Sequence, residues 1–227
     1  ASRACSRLAG VAAMVQAVCY VVGFVMLATV MNPGDVDGWS ARQKLEFILE
    51  RETLFQLWNI VIYVVFGVAL VALAATLHRL LAVPDTLLMS IATPFGFIWA
   101  GLVIASGMVA NVGVAAVSRA YANGAADEAV SLWSAVGVVQ DGLGGGVEVV
   151  GGLWVLLVSA AALRAGILLP SWVNWLGLIV GLAGIATIVP SLGGLGAVFG
   201  LTQILWFLGV GAVLLLRKGE DRSAPGR

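Results

Sequence analysis

Asp141 and Glu148 are two acidic residues in an otherwise apolar stretch, and no basic residue occurs between Arg119 and Arg164. An ionisable group at membrane depth is costly and usually faces a bundle interior or a water-filled cavity, so it marks a candidate functional site. Carboxyl groups placed in this way could bind a cation or a proton, or anchor a polar group of a small ligand. A structural interpretation stays open, in which both acids donate hydrogen bonds that hold neighbouring helices together.

The seven-residue spacing of Asp141 and Glu148 puts both on one face of a continuous helix, about 10 Å apart along its axis. Glycines surround them: Gly144, Gly145, Gly151 and Gly152 on the same face, and the GxxxG pair Gly142 and Gly146 on an adjoining one. A surface without side chains lets another helix approach closely, and glycine also makes a helix easier to unwind. We therefore expect these glycines to serve helix packing and to shelter the acids from lipid.

Polar partners for the two acids must come from neutral side chains, because no basic residue is predicted at the same depth. The candidates lie on four of the predicted membrane helices and on the acidic helix itself. They are Gln140 on the same helix, Gln16 and Tyr20 on the first, Asn59 and Tyr63 on the second, Asn111 on the third, and Gln203 on the sixth.

Metal and cofactor chemistry has few residues available in this chain. Cys5, Cys19 and His78 are its only cysteines and histidine, so neither a metal site nor a cofactor is predicted. Signatures of nucleotide-binding proteins, zinc proteases and serine hydrolases are missing. No catalytic residue is assigned, and an enzyme that uses Glu148 as an acid–base group on a lipid has no nucleophile or metal cluster to support it.

The composition identifies the class of protein in which these residues occur. Hydrophobic residues make up 61% of the 227 residues and charged residues 11%, and the mean hydropathy is +1.04. Repeated apolar runs of about 20 residues are long enough to cross a hydrocarbon core of about 30 Å. We predict an all-α membrane protein in contact with the lipid bilayer. The net charge is zero, so a nucleic-acid partner is not expected.

Six apolar runs predict a bundle of six transmembrane helices. They cover residues 8–31, 54–80, 87–117, 129–163, 170–190 and 195–216. Short loops between most of them predict antiparallel neighbours and a single domain over residues 1–216. Residues 217–227 are charged and rich in small residues, which is typical of a disordered tail.

The longest polar segment separates the first two predicted spans. Ser40 and Gln43 form a capping-box pattern, and Leu45, Ile48 and Leu49 then make an apolar stripe beside charged residues. A short amphipathic helix on the membrane surface fits this pattern, and an ordinary solvated connecting helix fits it equally well.

Basic residues predict the orientation of the bundle. A cytoplasmic N-terminus places the larger set inside, namely Arg3, Arg7, Arg79, Arg164, Arg217, Lys218, Arg222 and Arg227. The smaller set, Arg42, Lys44, Arg51 and Arg119, then lies outside. The positive-inside rule therefore predicts that both termini are cytoplasmic.

The C-terminal half carries a family resemblance in three segments: DGLGGGVEVVGGLWVLLVSAAALRAGILLP, WLGLIVGLAGIATIVP and FGLTQILWFLGVGAVLLLRK. They resemble an uncharacterised bacterial membrane family, domain of unknown function 4386. The resemblance implies a bacterial inner-membrane protein of about six helices with no assigned activity. It brings no catalytic residues to this chain.

Two functions from different classes fit these observations. The first is a membrane protein that binds or translocates a small ligand or ion, with Glu148 and Asp141 in a glycine-lined bundle. The second is a noncatalytic scaffold or partner subunit, whose glycine faces bind another membrane protein or a second copy of the chain. A polar cavity around Glu148 would favour the first.

Overall fold

The computed structural model describes residues 3–82, 86–145 and 148–217, with the backbone alone for Thr86 and Gly145. Within these ranges the chain is almost entirely helical and contains no β-strand. The all-α prediction is confirmed for this part of the chain. The predicted tail lies outside the described residues from Lys218 onward, as does the turn around Pro84.

Nine α-helices occur in the described residues. They are α1 (Arg3–Ala28), α2 (Ala41–Leu49), α3 (Glu52–Asn59), α4 (Phe66–Leu81), α5 (Thr86–Ala122), α6 (Ala126–Gln140), α7 (Val149–Ala165), α8 (Ser171–Ala186) and α9 (Leu195–Leu216). A π-helical segment, Ile60–Val65, joins α3 to α4, and a second one, Asp141–Gly145, follows α6. A short 3₁₀ turn, Pro190–Leu192, precedes α9.

Several of these helices are suited to a membrane. In the described ranges, five helical runs are long and apolar enough to cross one: Arg3–Ala28, Glu52–Leu81, Leu87–Ala122, Ala126–Ala165 and Leu195–Leu216. The fifth predicted span, 170–190, is the shorter apolar helix α8 of 16 residues, which starts directly after Pro170 and gives way to turns after Ala186. These apolar helices indicate a multi-pass membrane protein.

Six of the helices pack in a ring that follows the order of the chain. α1 contacts α4, α4 contacts α5, α5 contacts α7, α7 contacts α8, α8 contacts α9, and α9 returns to α1. The main core fills the interior of this ring and contains the buried indoles of Trp99, Trp154 and Trp206. The short loops predicted from the sequence produce this arrangement, because they force neighbouring helices to run antiparallel.

The third apolar run is longer than its sequence pattern predicted. α5 has 37 residues and is therefore about 55 Å long, well beyond a hydrocarbon core of about 30 Å. α6 packs against α5, so the two form a hairpin that extends past one side of the bundle. α2 packs against α6 and therefore lies at the projecting part of this hairpin.

α2 is held at both its polar and its apolar side. The N–H of Gln43 donates to Ser40 Oγ at 3.2 Å, and the N–H of Ser40 donates to Gln43 Oε1 at 2.8 Å, so the predicted capping box is confirmed. Leu45 is fully buried with Val117 of α5 and Ala129 of α6. Protein contacts therefore bury the first residue of the apolar stripe without contact with lipid.

A polar contact also joins α2 to α5. The Tyr121 hydroxyl donates a hydrogen bond to the Glu46 carboxylate, which also accepts one from Arg42 Nε at 3.1 Å. These two hydrogen bonds, the tyrosine's first, hold the pKa of the Glu46 carboxyl below its usual value because they favour the ionised form.

Candidate functional site

The glycine-rich middle of the fourth apolar run breaks the helix. α6 ends at Gln140, the π-helical segment follows, and α7 begins at Val149. Within that segment Gly144 has a φ of 116° and lies outside helical geometry, a conformation that only glycine adopts readily. The predicted single helix face with both acids is therefore wrong. Asp141 and Glu148 instead lie at the two ends of the break.

The backbone of Glu148 is fixed to the end of α8. Its N–H donates to Thr187 Oγ1 at 2.8 Å, and the Thr187 hydroxyl donates in turn to the carbonyl oxygen of Gly184 at 2.7 Å. The Glu148 carbonyl accepts the N–H of Gly152 at 2.8 Å, which starts the hydrogen bonding of α7. Helical geometry thus resumes directly after Glu148. The two main-chain hydrogen bonds fix the position of its Cα, from which the side chain extends.

A cavity of about 450 Å³ lies beside the break. Its walls come from α1, the run α3–α4, α5 and α9, and Gly144 and Glu148 contribute the side at the break. Six aromatic side chains line it: Tyr20, Phe24, Trp58, Tyr63, Phe66 and Trp99. Among the described residues that line the cavity, Glu148 is the one carboxylic acid and none is basic.

Small residues create much of this space. Gly23 of α1 and Gly196, Ala197 and Gly200 of α9 line the cavity without large side chains. A Cβ at Gly200 would lie 2.9 Å from the ring of Phe24, so any larger residue would push that ring into the cavity. The glycines of α9 therefore set the width of the cavity between α1 and α9.

The carboxyl group of Glu148 faces this cavity without a partner of opposite charge. The Glu148 side chain is half-buried and makes no hydrogen bond or ion pair with another described residue. It lies within electrostatic range of the Tyr20 and Tyr63 hydroxyls. A carboxylate in such surroundings is costly unless a ligand, an ion or a proton compensates its charge.

Tyr63 is positioned by two neighbouring helices. Gln140 Nε2 donates to the Tyr63 hydroxyl at 3.2 Å, and Ser106 Oγ of α5 donates to the Gln140 carbonyl oxygen at 3.2 Å. Tyr63 itself belongs to the π-helical segment of the second apolar run, a feature that often occurs at functional sites. These contacts tie the wall of the cavity to the last turn of α6, directly before the break.

The family model for the domain of unknown function DUF4386 matches residues 7–217. The chain belongs to this family. The match covers the helical bundle from the second turn of α1 onward, so the family resemblance of the sequence is confirmed. No curated protein and no solved structure matches the chain significantly. The description of the DUF4386 family assigns no activity, and the function of this member must be inferred from its own geometry.

Other predicted site residues of this DUF4386 protein do not line the cavity. Asp141 is exposed. Asn59 is buried and donates from Nδ2 to the Phe55 carbonyl oxygen at 2.8 Å, and Asn111 donates from Nδ2 to the Gln56 carbonyl oxygen at 3.2 Å. Both asparagines therefore satisfy main-chain groups of the second apolar run, and neither lines the cavity.

Gln16 and Gln203 are fully buried in α1 and α9, and the side-chain amides have no hydrogen-bond partner among the described residues. Neither residue lines the cavity. Of the seven predicted site residues, Glu148 lines the cavity. Gln140 does not line it but donates a hydrogen bond to Tyr63, which does. Sequence spacing could not separate these cases. It assigns each polar residue to a face of its own helix, but it does not specify which other helix that face contacts.

The glycines predicted for helix packing divide into two groups. A Cβ at Gly151 would lie 2.5 Å from the ring of Trp99, and one at Gly152 would lie 2.6 Å from the Gly181 carbonyl oxygen, so both allow close packing of α7. Gly142 and Gly144 face open space, and Gly144 serves the break instead. Gly145 ends the π-helical segment, and Gly146 lies outside the described residues.

An aromatic network extends from the cavity into the core, and it was not predicted from the sequence. The Trp99 ring lies 5.4 Å from Phe66 and 5.8 Å from Trp154, and Trp154 lies 5.7 Å from Trp206, measured between ring centroids. The Trp99–Phe66 and Trp154–Trp206 pairs meet edge to face and the Trp99–Trp154 pair is tilted, and edge-to-face contacts are favourable and directional. These residues come from four helices that only the fold brings together, so no local sequence signal could have revealed the network.

Proposed function

We propose that this protein binds a small ligand in the cavity beside the helix break, with Glu148 as the group that anchors it. The observation that carries the proposal is the Glu148 carboxyl, which lines a cavity of about 450 Å³ and has no ion-pair partner among the described residues. Ligand cavities in proteins have volumes of about 300–1,000 Å³ and combine apolar walls with a few polar groups. This cavity has both properties.

The break in the fourth apolar run supports translocation as an extension of binding. In many secondary transporters the binding site lies next to a discontinuous membrane helix, whose unwound backbone lines a cavity. Here the positive φ of Gly144 and the start of α7 after Glu148 produce a break of that kind at the cavity wall. A broken helix can change its angle at the break with fewer lost contacts than a continuous one.

We further propose that α8 is the sixth membrane span. Trp172, Trp175, Ile179 and Leu182 are exposed on one side of α8, as expected for a helix that faces lipid on that side. Its 16 residues give about 24 Å, which local thinning of the bilayer can accommodate. With six spans, both termini lie on the cytoplasmic side by the positive-inside rule, and the family resemblance favours the bacterial inner membrane. α2 and the projecting part of the α5–α6 hairpin then lie on the periplasmic side, near the surface of the inner membrane.

The test compares two acids that differ in their position at the break. Purified wild-type chain, Glu148→Gln and Asp141→Asn are screened in detergent for ligand-dependent increases of Tm across a panel of metabolites, lipophilic compounds and ions. A ligand should stabilise the wild type and Asp141→Asn, because Asp141 is exposed and does not line the cavity. It should stabilise Glu148→Gln much less.

Two results would count against the proposal. If no compound changes the Tm of the wild type, the cavity is a packing feature. The result would then favour the alternative function, a noncatalytic scaffold or partner subunit. If compounds bind with equal affinity to wild type and Glu148→Gln, the binding site lies elsewhere or does not use the acid.

A further inference from the structure

The groups around the cavity restrict the chemistry of a ligand. Six aromatic rings and one carboxylic acid line it, and no Lys, Arg or His occurs among its described lining residues. The face of an aromatic ring carries partial negative charge, and so does an ionised carboxyl group. A cavity with this lining attracts positive charge and repels anions.

An inorganic cation does not fit this lining. Metal ions such as Na⁺, Mg²⁺ and Ca²⁺ are held by several oxygen atoms at short distance, whereas among the described lining residues only Glu148, Tyr20 and Tyr63 have side-chain oxygens. The described residues also contain no group of three His, Cys, Asp or Glu side chains that could hold a metal ion. The cavity volume of about 450 Å³ is far larger than a bare ion needs.

An organic cation matches each part of the lining. Aromatic rings bind quaternary ammonium groups through cation–π attraction, and apolar substituents on the cation gain from removal from water. Glu148, Tyr20 and Tyr63 line the same cavity, and Glu148 lies within electrostatic range of both tyrosines, so one ligand can present its charged group to the carboxylate and to an aromatic ring. Phe24, which lines the cavity and has no polar side-chain atom, would contact the apolar part of the ligand.

We propose that the cavity binds a lipophilic organic cation, an amine or a quaternary ammonium compound, with its charged group between Glu148 and the tyrosine rings. This inference rests on the proposed function and adds the chemical class of the ligand. The compensating charge for Glu148 then comes from the ligand itself.

The experiment separates charge from shape. Benzyltrimethylammonium is compared with neopentylbenzene, which has carbon in place of the charged nitrogen and nearly the same shape, and with benzylsulfonate as an anion. Tetraphenylphosphonium serves as a larger cation, and the chlorides of Na⁺, K⁺, Mg²⁺ and Ca²⁺ serve as inorganic ions. Affinity is read from the concentration dependence of Tm for the full-length chain in detergent.

We expect at least one organic cation to bind the wild type about ten-fold or more tightly than the uncharged isostere. Glu148→Gln should remove most of this preference and leave the affinity for the isostere unchanged. Asp141→Asn should retain the preference. Each comparison uses the same detergent, so partition of the probes into micelles affects all variants alike.

Tyr20 provides a second test of the aromatic contribution. Tyr20→Phe keeps the ring and should retain most of the preference for the cation, whereas Tyr20→Leu removes the ring and should reduce it several-fold. Tyr20 also packs on Phe66 and Phe207, so Tyr20→Leu could lower stability in general. The ratio of cation to isostere affinity is therefore the quantity compared, because a general loss of packing lowers both affinities.

The inference is overturned if the isostere binds as tightly as the cations, if the anion binds more tightly, or if an inorganic chloride gives the only shift that depends on Glu148. In each of these cases ligand binding in the cavity still stands. It is overturned as well if none of these probes binds. The panel of metabolites, lipophilic compounds and ions then tests the proposed function separately. A neutral ligand whose binding depends on Glu148 leaves the proposed function intact, whereas a panel in which no compound binds contradicts both the proposed function and this inference.

Discussion

The backbone N–H of Glu148 donates a 2.8 Å hydrogen bond to the hydroxyl of Thr187 at the end of α8. The first N–H groups of a helix have no partner within the helix, and at membrane depth an unpaired group costs several kcal/mol. Thr187 satisfies one such group at the point where α7 begins. The side chain of Thr187, which directly follows α8, thereby stabilises the break and fixes the backbone of the acid at the cavity.

Thr187→Val should destabilise the break. Valine has nearly the shape of threonine but accepts no hydrogen bond, so the Glu148 N–H is left unpaired at a cost of about 1–3 kcal/mol. Thr187 is buried, with 3% of its surface exposed, so water cannot readily replace the hydroxyl. The measurement is thermal unfolding in detergent, and Thr187→Ser is the control that should stay near wild type. Equal stability of the valine and serine variants would remove the proposed role of this hydrogen bond.

Gly144→Ala should lower stability through backbone strain. Gly144 has a φ of 116°, and a residue with a Cβ is forced into that region at a cost of about 1–3 kcal/mol. Gly142→Ala is the matched control, since a Cβ added at either glycine would meet open space and Gly142 has no positive φ. The two variants differ in backbone conformation alone, so a similar Tm for both would contradict the strained geometry at the break.

Gly152→Ala should weaken the packing of α7 on α8. The new methyl group would lie 2.6 Å from the Gly181 carbonyl oxygen and 2.8 Å from the Ile185 nitrogen, and backbone atoms can yield only if a helix moves. Overpacking of this kind costs about 1–3 kcal/mol. Gly137→Ala, in open space on α6, should be neutral or gain up to about 1 kcal/mol from helix propensity. The Tm values of the two variants relative to wild type test the difference.

Tyr121→Phe should reduce stability in a pH-dependent manner. The pKa of Glu46 is lowered in the folded state, chiefly by the hydrogen bond from Tyr121, so this contact stabilises the fold above the unfolded-state pKa and loses its effect as pH falls through the lowered pKa. The Tm difference between wild type and Tyr121→Phe should therefore be present at pH 7 and shrink in acid. In a Glu46→Gln background the tyrosine substitution should have little effect at either pH. A pH-independent difference would assign the role of Tyr121 to packing alone.

A reporter fused after Arg227 should be active on the cytoplasmic side only. Six spans return the chain to the side on which it starts, and α8 supplies the sixth crossing if its exposed apolar face lies in lipid. A second fusion within the segment 123–125, between α5 and α6, should report the opposite side. A periplasmic signal from the C-terminal fusion would mean that α8 does not cross the membrane.

The sequence by itself determined the class of the protein and the position of most helices. Apolar runs of sufficient length cannot remain in water, so they predicted the membrane bundle without tertiary information. The last helix matches its predicted bounds of 195–216. The capping box of Ser40 and Gln43 was likewise predictable, because both partners lie within one turn and need no other part of the chain.

Glu148 stood out in the sequence for an energetic reason, since a carboxyl group among apolar residues requires compensation wherever it lies. Its surroundings depended on the fold. Gln16 and Gln203 have the same polar character as Gln140, yet neither lines the cavity. A π-helical segment brings Tyr63 to it, and Gln140 at the end of α6 donates a hydrogen bond to Tyr63. Helical periodicity assigns residues to faces of one helix, but it does not specify which faces of different helices meet.

The break at Gly144 shows the same division between local and tertiary information. A run of glycines permits both a continuous helix and an unwound one, because a residue without a Cβ adopts positive and negative φ values about equally readily. Thr187, which is 39 positions from Glu148 along the chain, favours the broken form, because its hydroxyl accepts the Glu148 N–H that has no partner within a helix there. The sequence therefore predicted a functional acid among apolar residues and beside a run of glycines, and the tertiary structure decided that this acid lines an aromatic cavity.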